Sequence, residues 1–304
     1  MGGSLSELLG GIVARPVAEG SEWAEGSGGA ETFVTTSPNW WPGERAFGGM
    51  VVAQALHAAC QTVPEGFDVH SLHGYFLRPS PSGSASVHRV GHLREGRSFT
   101  TREVMSEVEG RATFRMLCSF HRPEAGDEYQ LPMAKDISPP DATAGEMDAD
   151  EAVDAPLAFD LRDLGPTRRR RDGTYLSTRR CWFRTTRRLP DDPALHACVL
   201  AYLSDMTGAA FRPGSLSTWG SHTDASLDHA LWFHRPCRAD EWNFFDHQAL
   251  VNAGGRATIR AAMYNADGSL RLSMAQELLI REIAGAQTRQ RAGDDERMAS
   301  DGAA

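Results

Sequence analysis

Apolar positions along this chain follow two spacings. Gly49-Met50-Val51-Val52-Ala53-Gln54-Ala55-Leu56 and Leu195 through Leu203 are apolar almost all the way round a helical wheel, which predicts two helices buried on every side. Elsewhere the apolar residues alternate. Ala112, Phe114, Met116, Cys118 and Phe120 share one face of a strand, and Leu270, Leu272, Met274, Gln276, Leu278 and Ile280 share one face of another. Near the N-terminus, Ser4 and Glu7 form a capping box ahead of Leu8, Leu9 and Ile12, predicting a further short helix.

These features occur twice, in the same order and at near-constant spacing. After each buried helix comes a strand with a similar ending, Tyr75-Phe76-Leu77-Arg78-Pro79 and Trp232-Phe233-His234-Arg235-Pro236. A strand beginning at Gly96-Arg97 turns at Gly110, and one beginning at Gly255-Arg256 turns at Asp267-Gly268. The repeat divides the chain into units at 1–123 and 156–283, with a polar tail at 284–304. Residues 124–155, rich in Asp, Glu, Ala and Pro, show no core-forming pattern and read as an acidic linker. A central helix against an antiparallel sheet, present twice, is an α+β arrangement.

Composition narrows the function. With 31 Lys and Arg against 40 Asp and Glu, the net charge of −9 argues against a nucleic-acid partner. No stretch approaches the ~20 apolar residues of a membrane span, and no secretory signal is expected. The five Cys stand apart without a CxxC pair, so neither a zinc site nor a disulfide framework is expected, and a reducing, cytoplasmic location fits best. His70, His73, His229 and His234 lack Cys or Asp at ligand spacing; no metal and no other cofactor is expected. Asp228 and His229 point to opposite faces of a regular strand and form no dyad by themselves.

Three polar residues of the second unit occupy costly places. Asp205 lies near the C-terminal end of a very apolar helix, where the dipole disfavours a carboxylate; its proton affinity is expected to rise unless a partner compensates, which suits a general base. The bland alternative is that Asp205, followed by Thr207-Gly208, ends the helix and faces water. Gln276 is the polar member of an apolar row whose counterpart in the first unit is Cys118, so the two copies diverge there. A buried amide needs partners: it either binds a water or a carbonyl oxygen, or is satisfied by backbone groups. Ser226 is read as opening the strand through Ala230 and Trp232, where Ser is common turn chemistry. Gly48-Gly49 at a helix start offers backbone N–H groups to a phosphate or a carbonyl oxygen, or exists for close packing. Arg168 to Arg171 reads first as a solvated loop or an anchor for an acidic neighbour, with ligand phosphates as the sharper alternative.

Phe47-Gly48-Gly49, His70-Ser71-Leu72-His73-Gly74-Tyr75-Phe76-Leu77-Arg78-Pro79 and Asp228-His229 through Pro236 resemble the acyl-CoA thioesterase II family, the double-hotdog thioesterases. The resemblance implies two fused hotdog units, each a long buried helix wrapped by a curved antiparallel sheet, and an acyl-CoA substrate. It implies that Asp205, Ser226 and Gln276 hold a hydrolytic water, that Phe47, Gly48 and Gly49 contact substrate, and that a homo-oligomer can form. Two departures stand out: Ser226 where the family usually has Thr, and Met50 where a Gln commonly follows the glycine pair. Two other classes compete. A hotdog enoyl-CoA hydratase resembles its relatives in an Asp followed five residues later by His, where this chain has Ala210. A non-catalytic acyl-CoA binder would keep an apolar tunnel without needing Asp205, Ser226 and Gln276 together. A Gly-x-Ser-x-Gly nucleophile elbow is absent from the chain.

Overall fold

A computed structural model describes residues 4–18, 21, 30–39, 44–142, 158–164, 178–209 and 222–282. Ala210, Arg168 to Arg171 and the tail at 284–304 lie outside the described residues. The N-terminal half carries α1 (Leu5–Ile12), β1 (Arg15–Pro16), β2 (Glu31–Thr36), α2 (Gly48–Cys60), β3 (Asp68–Phe76), β4 (Ala85–Glu95), β5 (Phe99–Val108) and β6 (Arg111–His121). The C-terminal half carries β7 (Phe159–Asp163), β8 (Thr178–Thr185), α3 (Pro193–Ala209), β9 (His222–Ser226), β10 (Asp228–Phe233), β11 (Asn243–Ala253), β12 (Arg256–Asn265) and β13 (Leu270–Glu282).

The helices begin where their caps dictate. Ser4 Oγ accepts from the Glu7 backbone N–H while the Glu7 carboxylate accepts from that of Ser4, closing the expected box. Asp192 Oδ1 accepts from the N–H groups of Ala194 (3.0 Å) and Leu195 (3.3 Å) at the start of α3. At the start of α2, by contrast, Phe47 makes no side-chain cap hydrogen bond. Both long helices are Ala-rich, and every position of α2 from Gly49 to Ala59 is buried except His57, so packing rather than amphipathicity holds them.

Every strand pairing is antiparallel, and the strands form one sheet in the order β1-β2-β4-β5-β6-β3-β10-β13-β12-β11-β8-β7, with β9 also on β13. Around the β3–β10 seam the order 2-4-5-6-3 on one side answers 8-11-12-13-10 on the other, as the sequence repeat requires. At the seam Leu72 pairs with Leu231 and Tyr75 with Asp228. The turn between β5 and β6 places both Glu109 (φ 51°) and Gly110 (φ 71°) in the left-handed region, as a two-residue hairpin turn demands. The alternation is as read: Phe114, Met116, Cys118 and Phe120 are buried, and so are Leu272, Met274, Gln276, Leu278 and Ile280.

α2 packs on α3, and the start of α2 lies against Tyr202 and Asp205 near the end of α3, so the helices run antiparallel. Part of the stretch read as a featureless linker is anchored. Gln130 bonds the backbone of Gly268 and Leu270, and Trp182 Nε1 donates to Ser138 O at 2.9 Å. Met133 and Ile137 pack on the cluster of Trp182, Phe244 and Tyr264. Four or five anchors in a polar stretch leave no periodic trace, which is why the pattern alone missed them.

Candidate active site

Asp205 stands one turn before the end of α3, which continues through Thr207 and Gly208 to Ala209. It is only 4% exposed, so the reading of Asp205 as a helix terminator facing water does not hold. Gln276, 1% exposed, comes from β13 on the row that faces the helices. Its Nε2 donates to Asp205 Oδ1 at 2.5 Å and to Ser226 Oγ at 2.9 Å, and Ser226 Oγ donates to the same Asp205 oxygen at 3.4 Å. One amide hydrogen and the hydroxyl hydrogen thus meet on one carboxylate oxygen, and the second amide hydrogen closes the triangle through Ser226 Oγ.

Ser226 reaches the triangle because the strand expected to run from it through Ala230 and Trp232 is broken. Ser226 ends β9 and Asp228 begins β10; Leu227 between them donates to Glu277 O and accepts from the Phe76 N–H, both at 2.9 Å. Asp228 Oδ1 accepts from the Glu277 N–H at 2.7 Å, fixing the break against β13. As read, Asp228 and His229 face opposite ways: Asp228 Oδ2 meets His73 Nε2 at 3.0 Å on the outer face, while His229 is buried.

The other oxygen of Asp205 faces the first unit. A Cβ placed on Gly48 would lie 2.7 Å from Asp205 Oδ2, and one on Gly49 would strike the Tyr202 carbonyl oxygen. Only glycines let the uncapped, positive end of α2 approach the carboxylate this closely. Phe47 is buried, its ring edge-on to Tyr202 at 5.0 Å, so its side chain anchors the helix start rather than opening to solvent. Gln276 Oε1 is buried and accepts no hydrogen bond from the described residues. Leaving such an acceptor unpaired costs about 1–3 kcal/mol. That cost is offset where a ligand atom or a water takes the bond.

The N-terminal-domain model of the acyl-CoA thioesterases matches residues 37–121, and the C-terminal-domain model matches 133–280. Acyl-CoA thioesterase 2 of Haemophilus influenzae is 32% identical over 256 residues, covering 78% of this chain and 88% of its own. Acyl-coenzyme A thioesterase 8 of Homo sapiens is 30% identical over 269 residues, covering 80% and 82% respectively. Among solved structures, the acyl-CoA thioesterase II of Mycobacterium marinum superposes with a TM-score of 0.72 at 32% identity over 93% of this chain and 100% of that one. The chain belongs to the acyl-CoA thioesterase II family. A hotdog-fold protein from Alicyclobacillus acidocaldarius, 16% identical with a TM-score of 0.70, shares the fold over 90% of this chain and 97% of its own.

For this thioesterase II chain the C-terminal match spans Asp205, Ser226 and Gln276, while Phe47, Gly48 and Gly49 fall within the N-terminal one. The match also begins at Met133, within the anchored stretch. One feature beside the triangle escaped the sequence reading. His229 Nε2 lies 2.7 Å from Ser204 Oγ, and its Nδ1 lies 4.0 Å from Asp205 Oδ1. Burial holds its pKa below the ordinary value, against the opposing pull of Asp205 and Asp228. The signal was present: at the spacing of Pro79 and Pro236, His229 stands where the first unit has Leu72. This is the same divergence that singled out Gln276 against Cys118.

Proposed function

We infer that this enzyme hydrolyses acyl-CoA thioesters to free fatty acid and coenzyme A by direct attack of an activated water. The observation that carries the mechanism is the division of labour on Asp205: Oδ1 is held by Gln276 and Ser226, while Oδ2 is turned toward the uncapped start of α2. A thioester carbonyl oxygen resting on the Gly48 and Gly49 N–H groups would be polarised by two donors and the helix dipole. A water between that carbonyl and Asp205 Oδ2, donating also to Gln276 Oε1, then loses its proton to Oδ2 as its oxygen attacks the carbonyl carbon. The tetrahedral intermediate collapses with cleavage of the C–S bond, and the proton held by Asp205 returns to the departing thiolate. Acyl-CoA and water are consumed, acid and thiol are formed, and no covalent enzyme intermediate is needed. Phe47 serves by fixing the glycines through its contact with Tyr202.

The same reading carries the finer architecture: units at 1–123 and 156–283, a connecting segment at 124–155, and in each unit a sheet curved around its long helix. The mirrored strand order supports it. It also carries a cytoplasmic location, supported by five cysteines that form no disulfide, and association of the chain into a homo-oligomer. No helix among the described residues is long and apolar enough to cross a membrane.

A thiol-release assay over acyl-CoAs of graded length tests the function. Equal release of free acid and thiol, undiminished by excess chelator and without added nucleotide, is expected. Hydration of an enoyl-CoA without thiol release would replace the reading by the lyase one, and tight binding without turnover by the binding one.

A further inference from the structure

Gly48 has a second neighbour besides Asp205. A Cβ placed there would lie 2.7 Å from Asp205 Oδ2 and also 3.2 Å and 3.4 Å from Cζ and Cε1 of Phe76. The ring edge of Phe76 thus borders the same spot on α2 as the carboxylate. Both units put it there. On β3 the residues Leu72, Gly74 and Phe76 form the inward row, while His73 and Tyr75 between them are exposed. The Phe76 backbone N–H donates to Leu227 O at 2.9 Å, next to Ser226 of the triangle. Its ring lies against that of Phe114, its cross-strand partner on β6, with centroids 4.9 Å apart and planes at 43°. Gly74 makes the room for this: a Cβ there would strike the Phe114 ring, so glycine alone lets that ring lie across β3 beside Phe76. Phe114 is fully buried, whereas Phe76 and Gly48 are each partly exposed. An inward side chain that solvent still reaches borders an opening, and this one is at the start of α2.

From this placement we propose that Phe76 is a specificity-determining residue for the hydrolysis, an apolar wall against which the carbon next to the thioester carbonyl packs and which disfavours a branch on that carbon. The proposal rests on the reading that the carbonyl oxygen sits on the Gly48 and Gly49 N–H groups. A carbonyl held there carries two substituents. The coenzyme A arm bears amides and phosphates, which keep their hydrogen bonds by running out to water, and it is the same in every substrate. The acyl carbons are apolar and are what differs between substrates, so the apolar ring is matched to them. The wall is also stiff. Phe114 backs the Phe76 ring and is itself enclosed by the core, so a methyl branch on the adjoining carbon meets a ring with little room to move. One added group of that size in a close-fitting apolar pocket changes selectivity by about 10- to 200-fold.

The test is kcat/KM for thiol release by the full-length enzyme on three acyl-CoAs of one chain length: unbranched, methylated at the carbon next to the carbonyl, and methylated near the far end of the chain. The parent, Phe76→Leu and Phe76→Ala are compared, with each fold checked by circular dichroism. Shortening the side chain should raise the ratio of the 2-methyl to the unbranched substrate, about three- to tenfold in Phe76→Leu and at least about tenfold in Phe76→Ala. The ratio for the far-end methyl should stay within about twofold. Should Phe76→Ala fail to fold, Phe76→Leu decides alone. A 2-methyl ratio that stays in place, or that rises only as much as the far-end ratio, would reduce Phe76 to packing and overturn the proposal, as would equal loss of turnover on all three substrates. Absence of thiol release by the parent on any of them would instead sink the hydrolase reading, and the proposal with it.

Discussion

Gly48 is the glycine whose identity the position of Asp205 Oδ2 constrains. A methyl group there would press on Asp205 Oδ2 at 2.7 Å and on the Phe76 ring at 3.2 Å. Gly48→Ala is therefore expected to lower kcat on the order of 10²-fold, because a displaced base and a displaced carbonyl cradle both lose their alignment. Gln276→Ala should lower kcat by a similar factor, since it removes both the clamp on Oδ1 and the acceptor at Oε1. Ser226→Ala should be milder, about tenfold, because its bond to Asp205 is long at 3.4 Å and Gln276 remains. Ser226→Thr, which keeps the hydroxyl, should stay within about threefold of the parent. Steady-state thiol release separates these; a Gly48→Ala enzyme with parental kcat would contradict the placement of the reacting carbonyl against α2.

Single elements show where sequence pattern suffices and where it stops. Alternation placed the inward rows of β6 and β13, because one buried face leaves a period of two. It could not show that the strand through Ser226 breaks at Leu227, since the break is made by backbone bonds to Phe76 and Glu277 from distant strands. Nor could it show that α3 outlasts Asp205, because Thr207-Gly208 is ordinary helix-ending chemistry, yet the helix runs on to Ala209. On β4, His88 illustrates a buried polar residue that structure satisfies fully: Nε2 meets Thr35 Oγ1 and Nδ1 meets Ser106 Oγ, each at 2.8 Å. Burial depresses its pKa from 6.5 to about 3. The unfolded chain then binds a proton there that the folded chain refuses, so the stability His88 confers is complete above pH 6.5 and falls as pH drops from 6.5 toward about 3. Urea midpoints between pH 7.5 and pH 5 should decline, and His88→Gln, which cannot titrate, should flatten that decline; an unchanged slope in the variant would remove His88 from the account.

For the molecule as a whole, the repeat was legible in sequence because both copies must bury a helix against a sheet, while the site was legible where the copies disagree. Gln276 against Cys118 was such a place, and His229 against Leu72 was another. The antiparallel packing of α2 on α3 was not legible, although it makes the candidate site composite: the first unit brings Gly48 and Gly49, and the second brings Asp205, Ser226 and Gln276. On the proposed mechanism the enzyme therefore depends on both units being docked, with Asp205 as the point on which their chemistry converges. The most direct test is Asp205→Asn, which keeps the size and hydrogen-bonding reach of the side chain but cannot take a proton. Measured by thiol release with the preferred acyl-CoA, with the fold checked by circular dichroism and acyl-CoA binding by calorimetry, the variant should bind normally and lose about 10²–10⁴ in kcat. Near-parental turnover would contradict water activation by Asp205.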